Sequence, residues 1–285
     1  MTDRRAFLTA ALGAIALPKL RAVTLRERAP SFDPWLEVDT AALRHNVAEA
    51  ARLSGGRPVL AVVKNNAYGL GLSTVGPLLD AVDAVPGLAV VKTDEAIALR
   101  DAGVRKPILL MGLCSDEEAA ELVSRDVRLG IFADAAPGLL RKLAARFNRR
   151  IPVHLDVDTG MSRIGMPYHR ALPWMATIAE TNSATIDGTF TTFAEDDAFD
   201  PEQLARFVEL ARQARERRLA LGRLHAASSH AVFLRPAAHL DLLRPGLILY
   251  GAYPSEVTDR GAAALRPAFR LRAQVVRVEQ LRAGD

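Results

Sequence analysis

Cysteine is almost missing from this chain: Cys114 stands alone, which excludes an internal disulfide, a CxxC zinc site and a redox pair. Following the apolar run PILLMG, it reads as a buried structural thiol rather than a nucleophile. Charge of one sign is missing too. The 37 lysines and arginines face 33 acids, for a net charge of +4. They form no basic stripe interleaved with aromatics, so nucleic acid is not the expected partner. With 285 residues and 49% hydrophobic content, the chain has material for one large domain or two ordinary ones, which argues against disorder.

The N-terminus differs from the rest. TDRRAFLTAALGAIALP sets a twin arginine before an alanine-rich apolar stretch, and the stretch is too short and too rich in small residues for a stable membrane span. It resembles a twin-arginine export signal, although Thr9 stands where the usual pattern has lysine. Residues 1–34 are therefore expected to be signal and linker, with a periplasmic destination. The alternative is an ordinary amphipathic leading helix on a cytoplasmic protein.

From residue 35 onward short apolar runs alternate with amphipathic segments. Asp39-Thr40 begins a helix that Gly55-Gly56 ends, Ser115 and Glu118 have capping-box spacing, and Asp200 caps a helix with Pro201 at its first position. Strands are expected at 58–64, 87–91, 107–111, 127–132, 151–157, 184–192, 222–227 and 246–251. Helical segments between most of them imply parallel pairing with right-handed crossovers, and eight such units close into a (β/α)8 TIM barrel. An open doubly wound sheet is the alternative.

In a barrel the active site lies where strands end, and the unusual polar residues fall there: Lys64, the stretch Asp156 to Arg163, Thr191 and Thr192, His225 to Ser229, and Arg244 leading into the last strand. Beyond Tyr250, AFRLRAQVVRVEQL alternates like a strand and reads as the opening of a second, β-rich domain. The expected organisation is a barrel over 35–255 and the first strand of an incomplete β domain over 256–285.

AVVKNNAYGLG, residues 61 to 71, delivers Lys64 from an apolar strand into a turn. Desolvation at such a point can lower an amine's pKa and prepare it for Schiff-base formation with an aldehyde. A lone lysine there could equally snorkel to solvent. Gly69 and Gly71 permit close approach of a ligand, and Tyr68 offers a hydroxyl to an anion.

This segment resembles the cofactor-lysine motif of the alanine racemases, pyridoxal 5'-phosphate enzymes with a barrel followed by a β domain. TDEAIALRDAGVRKPILLMG, VDTGMSRIGM, FTTFAEDDAFDPEQLARF, HAASSHAVF and LRPGLILYG recur in the family's order, so the resemblance covers residues 35 to 285. It implies a small amino-acid substrate, a Lys64 Schiff base that also serves as the base on one face, and a phosphate held by Tyr68, Ser229 and the backbone near Gly246 and Leu247. Arg244 would face the pyridine nitrogen with His225 holding it, and Arg163 would meet the phenolic oxygen and the substrate carboxylate. A guanidinium can donate but not accept, so a nitrogen facing Arg244 must be unprotonated; this weakens the ring as an electron sink and favours racemisation over transamination. Read without the family, Arg244 could pair with a surface carboxylate, and His225 and Ser229 could be a satisfied histidine and a loop hydroxyl.

The sequence departs from the family pattern at three places. Two residues before the DTGM aspartate, many members carry a lysine that becomes carbamylated; Asp156 stands there and would supply the anion itself, or merely pair with a surface base. Thr192 replaces the usual histidine and Ser228 the usual asparagine. The family's second base is a tyrosine of the β domain, contributed across a dimer interface, and no tyrosine up to Asp285 can be assigned that role. A homodimer is expected if the β domain is present. The first functional reading is a racemase of L- and D-alanine or a wider set of small amino acids; the alternative is a truncated or degenerate cofactor-binding barrel acting as carrier or interaction scaffold.

Overall fold

The computed structural model describes residues 33–284; the expected export signal lies outside them apart from its last two residues. Two compact units separate, one of Trp35–Arg272 and one whose described residues are 33–34 and 273–284. The latter carries no strand or helix.

The large unit is the expected barrel. Strands β2 (Leu60–Val62), β3 (Gly87–Val90), β4 (Ile108–Leu110), β5 (Val127–Ile131), β6 (Ile151–Asp158), β8 (Ala184–Phe190) and β9 (Arg223–His225) lie side by side in that order, all parallel. The two-residue β7 (Met166–Pro167) pairs only with β6. The eighth stave corrects the sequence reading. It is the stretch 241–245, not 246–251: Leu243 bridges Val59 in parallel, the Leu60 N–H donates to Leu243 O at 2.8 Å, and the Arg244 N–H donates to Ala227 O at 2.8 Å. GLILYG instead forms a 3-10 turn, Leu247–Tyr250. Pro245 has no N–H to extend a ladder, and the chain leaves the barrel at Gly246.

Side-chain parity explains where the polar residues point. Successive strand residues alternate between faces, and Leu60, Val62, Ala89, Leu109, Phe190 and Leu242 form a small cluster apart from the main core, the filling of the barrel interior. The alternate residues, among them Ala61, Val63, Leu88, Val90, Leu155 and Val157, pack against the helices in the larger core. Lys64 continues the parity of Leu60 and Val62, and Arg244 that of Leu242; each places a cationic side chain at the mouth of an apolar interior.

Several helix ends follow the sequence. Asp39 caps Thr40–Leu53 by accepting the Ala42 N–H, and Ser115 and Glu118 form the capping box of Asp116–Ser124. Asp200 does not cap. It opens the helix Asp200–Glu216 behind Phe199, because its carboxylate turns back to accept the Asp196 N–H at 3.1 Å. Cys114 is half-buried rather than buried, and burial with Glu118 and Asp116 nearby pushes its thiol up to about 11, which fits an inert thiol. The strand expected over AFRLRAQVVRVEQL is shorter: β10 (Phe269–Arg272) pairs antiparallel with β1 (Trp35–Val38), and its pairing stops where β1 does. No described helix is long and apolar enough to cross a membrane.

Candidate active site

A cavity of about 650 Å³ opens at the C-terminal ends of the strands, lined by Lys64, Tyr68, Asp156, Arg163, Ser229, Arg244, Gly246 and Leu247. Eight of the nine residues expected at the site thus meet in one space. His225 is fully buried behind it.

Lys64 opens an unusual turn. Asn65, Asn66, Ala67 and Tyr68 all take left-handed φ values between 54° and 56°. Each non-glycine residue held there costs roughly 1–2 kcal/mol, least for asparagine. The turn is closed by the Ala67 N–H on Val63 O at 2.9 Å and the Gly69 N–H on Asn65 O at 3.0 Å. Gly69 and Gly71 serve it through φ values of 92° and 93°; neither lines the cavity, so the close approach to a ligand expected of them is not their role. Asn65, which the sequence did not single out, does line it.

Opposite lies a polar chain at the inward positions. Arg244 Nη1 donates to His225 Nδ1 at 2.9 Å and to His225 O at 2.6 Å, and Nη2 donates to Thr191 O at 2.7 Å. Since guanidinium only donates, His225 Nδ1 is unprotonated and the proton sits on Nε2, which reaches His154 Nδ1 at 2.9 Å. Burial first, then the Arg244 charge, holds His225 well below its usual range. Burial, helped by Arg128, Arg244 and Arg223, lowers His154 to about 3. Phe190 stacks on His225 and lies under the Arg244 guanidinium. Three of the five N–H donors of Arg244 are thereby engaged, and the other two make no hydrogen bond among the described residues. Burial lowers Arg244 to about 10, opposed by Asp156, so it stays cationic near neutrality. Sequence reasoning missed His154 and Phe190; the parity of IPVHLDV, with His154 two residues before Asp156, was the available signal.

Asp156 is buried and makes no side-chain hydrogen bond among the described residues. Burial pushes its carboxyl up to about 7 against the pull of the Arg244 and Arg163 cations. Arg163, on the loop after β6, is exposed to the cavity and unpaired among the described residues.

The third group is a set of uncharged donors. Ser229 Oγ accepts the Gly246 N–H at 3.0 Å and the Ile248 N–H at 3.4 Å, which leaves its own proton free to donate. The Leu247 N–H between them meets no protein acceptor among the described residues. Gly246 itself contributes space, because a Cβ there would lie 2.0 Å from the Tyr68 hydroxyl oxygen. Tyr68 packs against Tyr250 with ring centroids 4.9 Å apart, and burial followed by the Glu195 charge pushes its phenol up to about 12. Ser228 also lines the cavity, where it donates to Glu195 at 2.7 Å.

One primary amine, a buried cation, a second cation and a cluster of hydroxyl and amide donors thus share one cavity at the mouth of the barrel. The chain belongs to the alanine racemase family: residues 38–254 match the model described as alanine racemase, N-terminal domain. It is 33% identical over 253 residues to an alanine racemase of Methanococcus maripaludis, covering 87% of this chain and 68% of the relative. It is 35% identical over 256 residues to that of Desulforamulus reducens, covering 88% and 69%. Among solved structures, an alanine racemase of Clostridium difficile 630 superposes with a TM-score of 0.80 at 26% identity, covering 86% of this chain and 65% of that one. The chain spans about two thirds of the length of these relatives.

Proposed function

We propose that the chain carries the cofactor site of a pyridoxal-phosphate-dependent racemase that interconverts L- and D-alanine or a wider set of small amino acids. The observation that carries this reading is that Lys64, Arg244 and the Tyr68–Ser229–Leu247 donors share one cavity in a chain of this family.

The residues fit the group. Lys64 would hold it covalently as a Schiff base, Tyr68, Ser229 and the Leu247 N–H would bind the phosphate, and the spare donors of Arg244 would meet the ring nitrogen. When bound, the cofactor withdraws electrons from the substrate Cα–H bond. Arg244 tempers that withdrawal, since a nitrogen that accepts from a guanidinium stays unprotonated. Arg163 suits a substrate carboxylate by its fork geometry, and Asp156 would steady it as a built-in anion. Lys64 moves the proton at one face of Cα; inversion needs a second group at the other, which the family resemblance assigns to a tyrosine from a dimer partner. The RRAFL segment supports periplasmic export of the folded protein, to be checked by fractionating cells.

The test is D-alanine formation from L-alanine by the protein loaded with cofactor. With the second group supplied at the other face, we expect turnover that Lys64→Ala abolishes. Cofactor fixed at Lys64 without any D-alanine would overturn racemisation by this chain and leave only binding.

A further inference from the structure

Glu95 lies in the first turn of the helix Thr93–Asp101, where its charge reads from sequence as ordinary helix punctuation. Its surroundings are not ordinary. The residue is 5% exposed, and its carboxylate makes no ion pair among the described residues. Oε1 accepts the Asn66 N–H at 3.2 Å, from the middle of the left-handed Lys64 turn; Oε2 accepts the Val91 N–H and the Lys92 N–H, each at 3.3 Å. One buried side chain thus ties three segments: the Lys64 turn, the end of β3 and the start of the next helix.

The turn depends on such an outside hold. Its four successive left-handed residues resist the conformation, and the Asn66 N–H points away from the turn's own carbonyls. Without Glu95 that part-buried donor would lose its protein acceptor, and a hydrogen bond left unmade away from full solvation disfavours the state that leaves it so. The turn's own backbone hydrogen bonds, among them the Gly71 N–H on Asn66 O at 3.0 Å, and Asn66 Oδ1 accepting the Leu72 N–H at 2.9 Å leave the Asn66 N–H to Glu95. A carboxylate suits the position because it accepts on both oxygens; glutamine would present an NH2 group to one of the N–H donors.

We propose that Glu95 is a positioning residue for Lys64, clamping the left-handed turn so that the amine projects into the cavity. That the amine's task is to bind the cofactor rests on the function proposed above; that Glu95 holds the turn does not.

The experiment separates the two. Hydrogen exchange, read by mass spectrometry on the cofactor-free full chain, is compared for wild type, Glu95→Gln and Glu95→Ala. Exchange at 65–72 is expected to rise at least tenfold in both variants, with the helix Asp200–Glu216 unchanged. In parallel, the rate at which pyridoxal phosphate and borohydride label Lys64 is expected to fall about tenfold in Glu95→Gln. Unchanged exchange at 65–72, or a rise spread evenly over the barrel, would overturn the clamp. Unfolding of both variants would do so as well, making Glu95 a residue of the fold alone. Failure of wild type to take the label would sink the cofactor reading while leaving the exchange result to decide the clamp.

Discussion

Arg244 fixes the tautomer of His225: with Nη1 2.9 Å from Nδ1, only the Nε2 proton is possible, and His225 passes that constraint to His154 at 2.9 Å. Both imidazoles are held neutral in the fold. A histidine lowered from its unfolded value near 6.5 to about 3 binds fewer protons folded than unfolded across that interval, so stability falls as pH drops from 6.5 towards 3. His154→Gln keeps an acceptor for His225 and removes the titration. Its denaturation midpoint is expected to vary less over pH 4 to 6.5 than that of wild type, measured by urea titration.

Asp156 works in the opposite direction. Its folded pKa of about 7 lies above the ordinary value of 3.8, so its contribution is fully present below the unfolded pKa and is lost as pH rises to about 7. Asp156→Asn is expected to stabilise the cofactor-free protein at pH 8 by at most about 4 kcal/mol, the shift converted at 1.36 kcal/mol per unit. If the carboxylate pairs with Arg163 as proposed, the same substitution weakens pyridoxal phosphate binding. Titration of the bound-cofactor absorbance checks this, and an unchanged affinity would remove Asp156 from the site.

Gly246 has no space for a methyl group. A Cβ 2.0 Å from the Tyr68 hydroxyl oxygen and 2.8 Å from its ring carbon must displace the ring. Gly246→Ala is expected to cost about 1–3 kcal/mol of stability and to lower cofactor affinity about tenfold, since Tyr68 leaves the anion site. Calorimetry and spectroscopic titration read the two effects.

Ser229 organises the other side of that site. Ser229→Ala strands the Gly246 and Ile248 N–H groups, a loss of about 1–3 kcal/mol for an unmade buried hydrogen bond. Inorganic phosphate is expected to stabilise wild type against heat and to stabilise this variant less.

The barrel was legible because its strands are apolar runs set off by turns and its helices carry caps at Asp39 and Ser115. Lys64 and Arg244 stand out as charges at strand ends, but their roles, and that of Arg163 on the loop after β6, were legible only through the family resemblance. GLILYG misled because it carries no charge: no alternation distinguishes a stave from a buried turn, and only Pro245 before it hinted that the ladder ends. Glu95 was invisible as a site residue, because its role depends on a loop 29 residues away and its own neighbourhood spells only a helix start. Asp200 misled for a similar reason, its carboxylate serving Asp196 rather than its own helix.

The most direct measurement of the central claim is borohydride reduction of the protein mixed with pyridoxal phosphate, followed by peptide mapping. A stable pyridoxyl group on Lys64, absent from Lys64→Ala and reduced in Gly246→Ala, is the predicted result. Label on other lysines only, with Lys64 unmodified, would contradict the assignment of this cavity as a pyridoxal phosphate site.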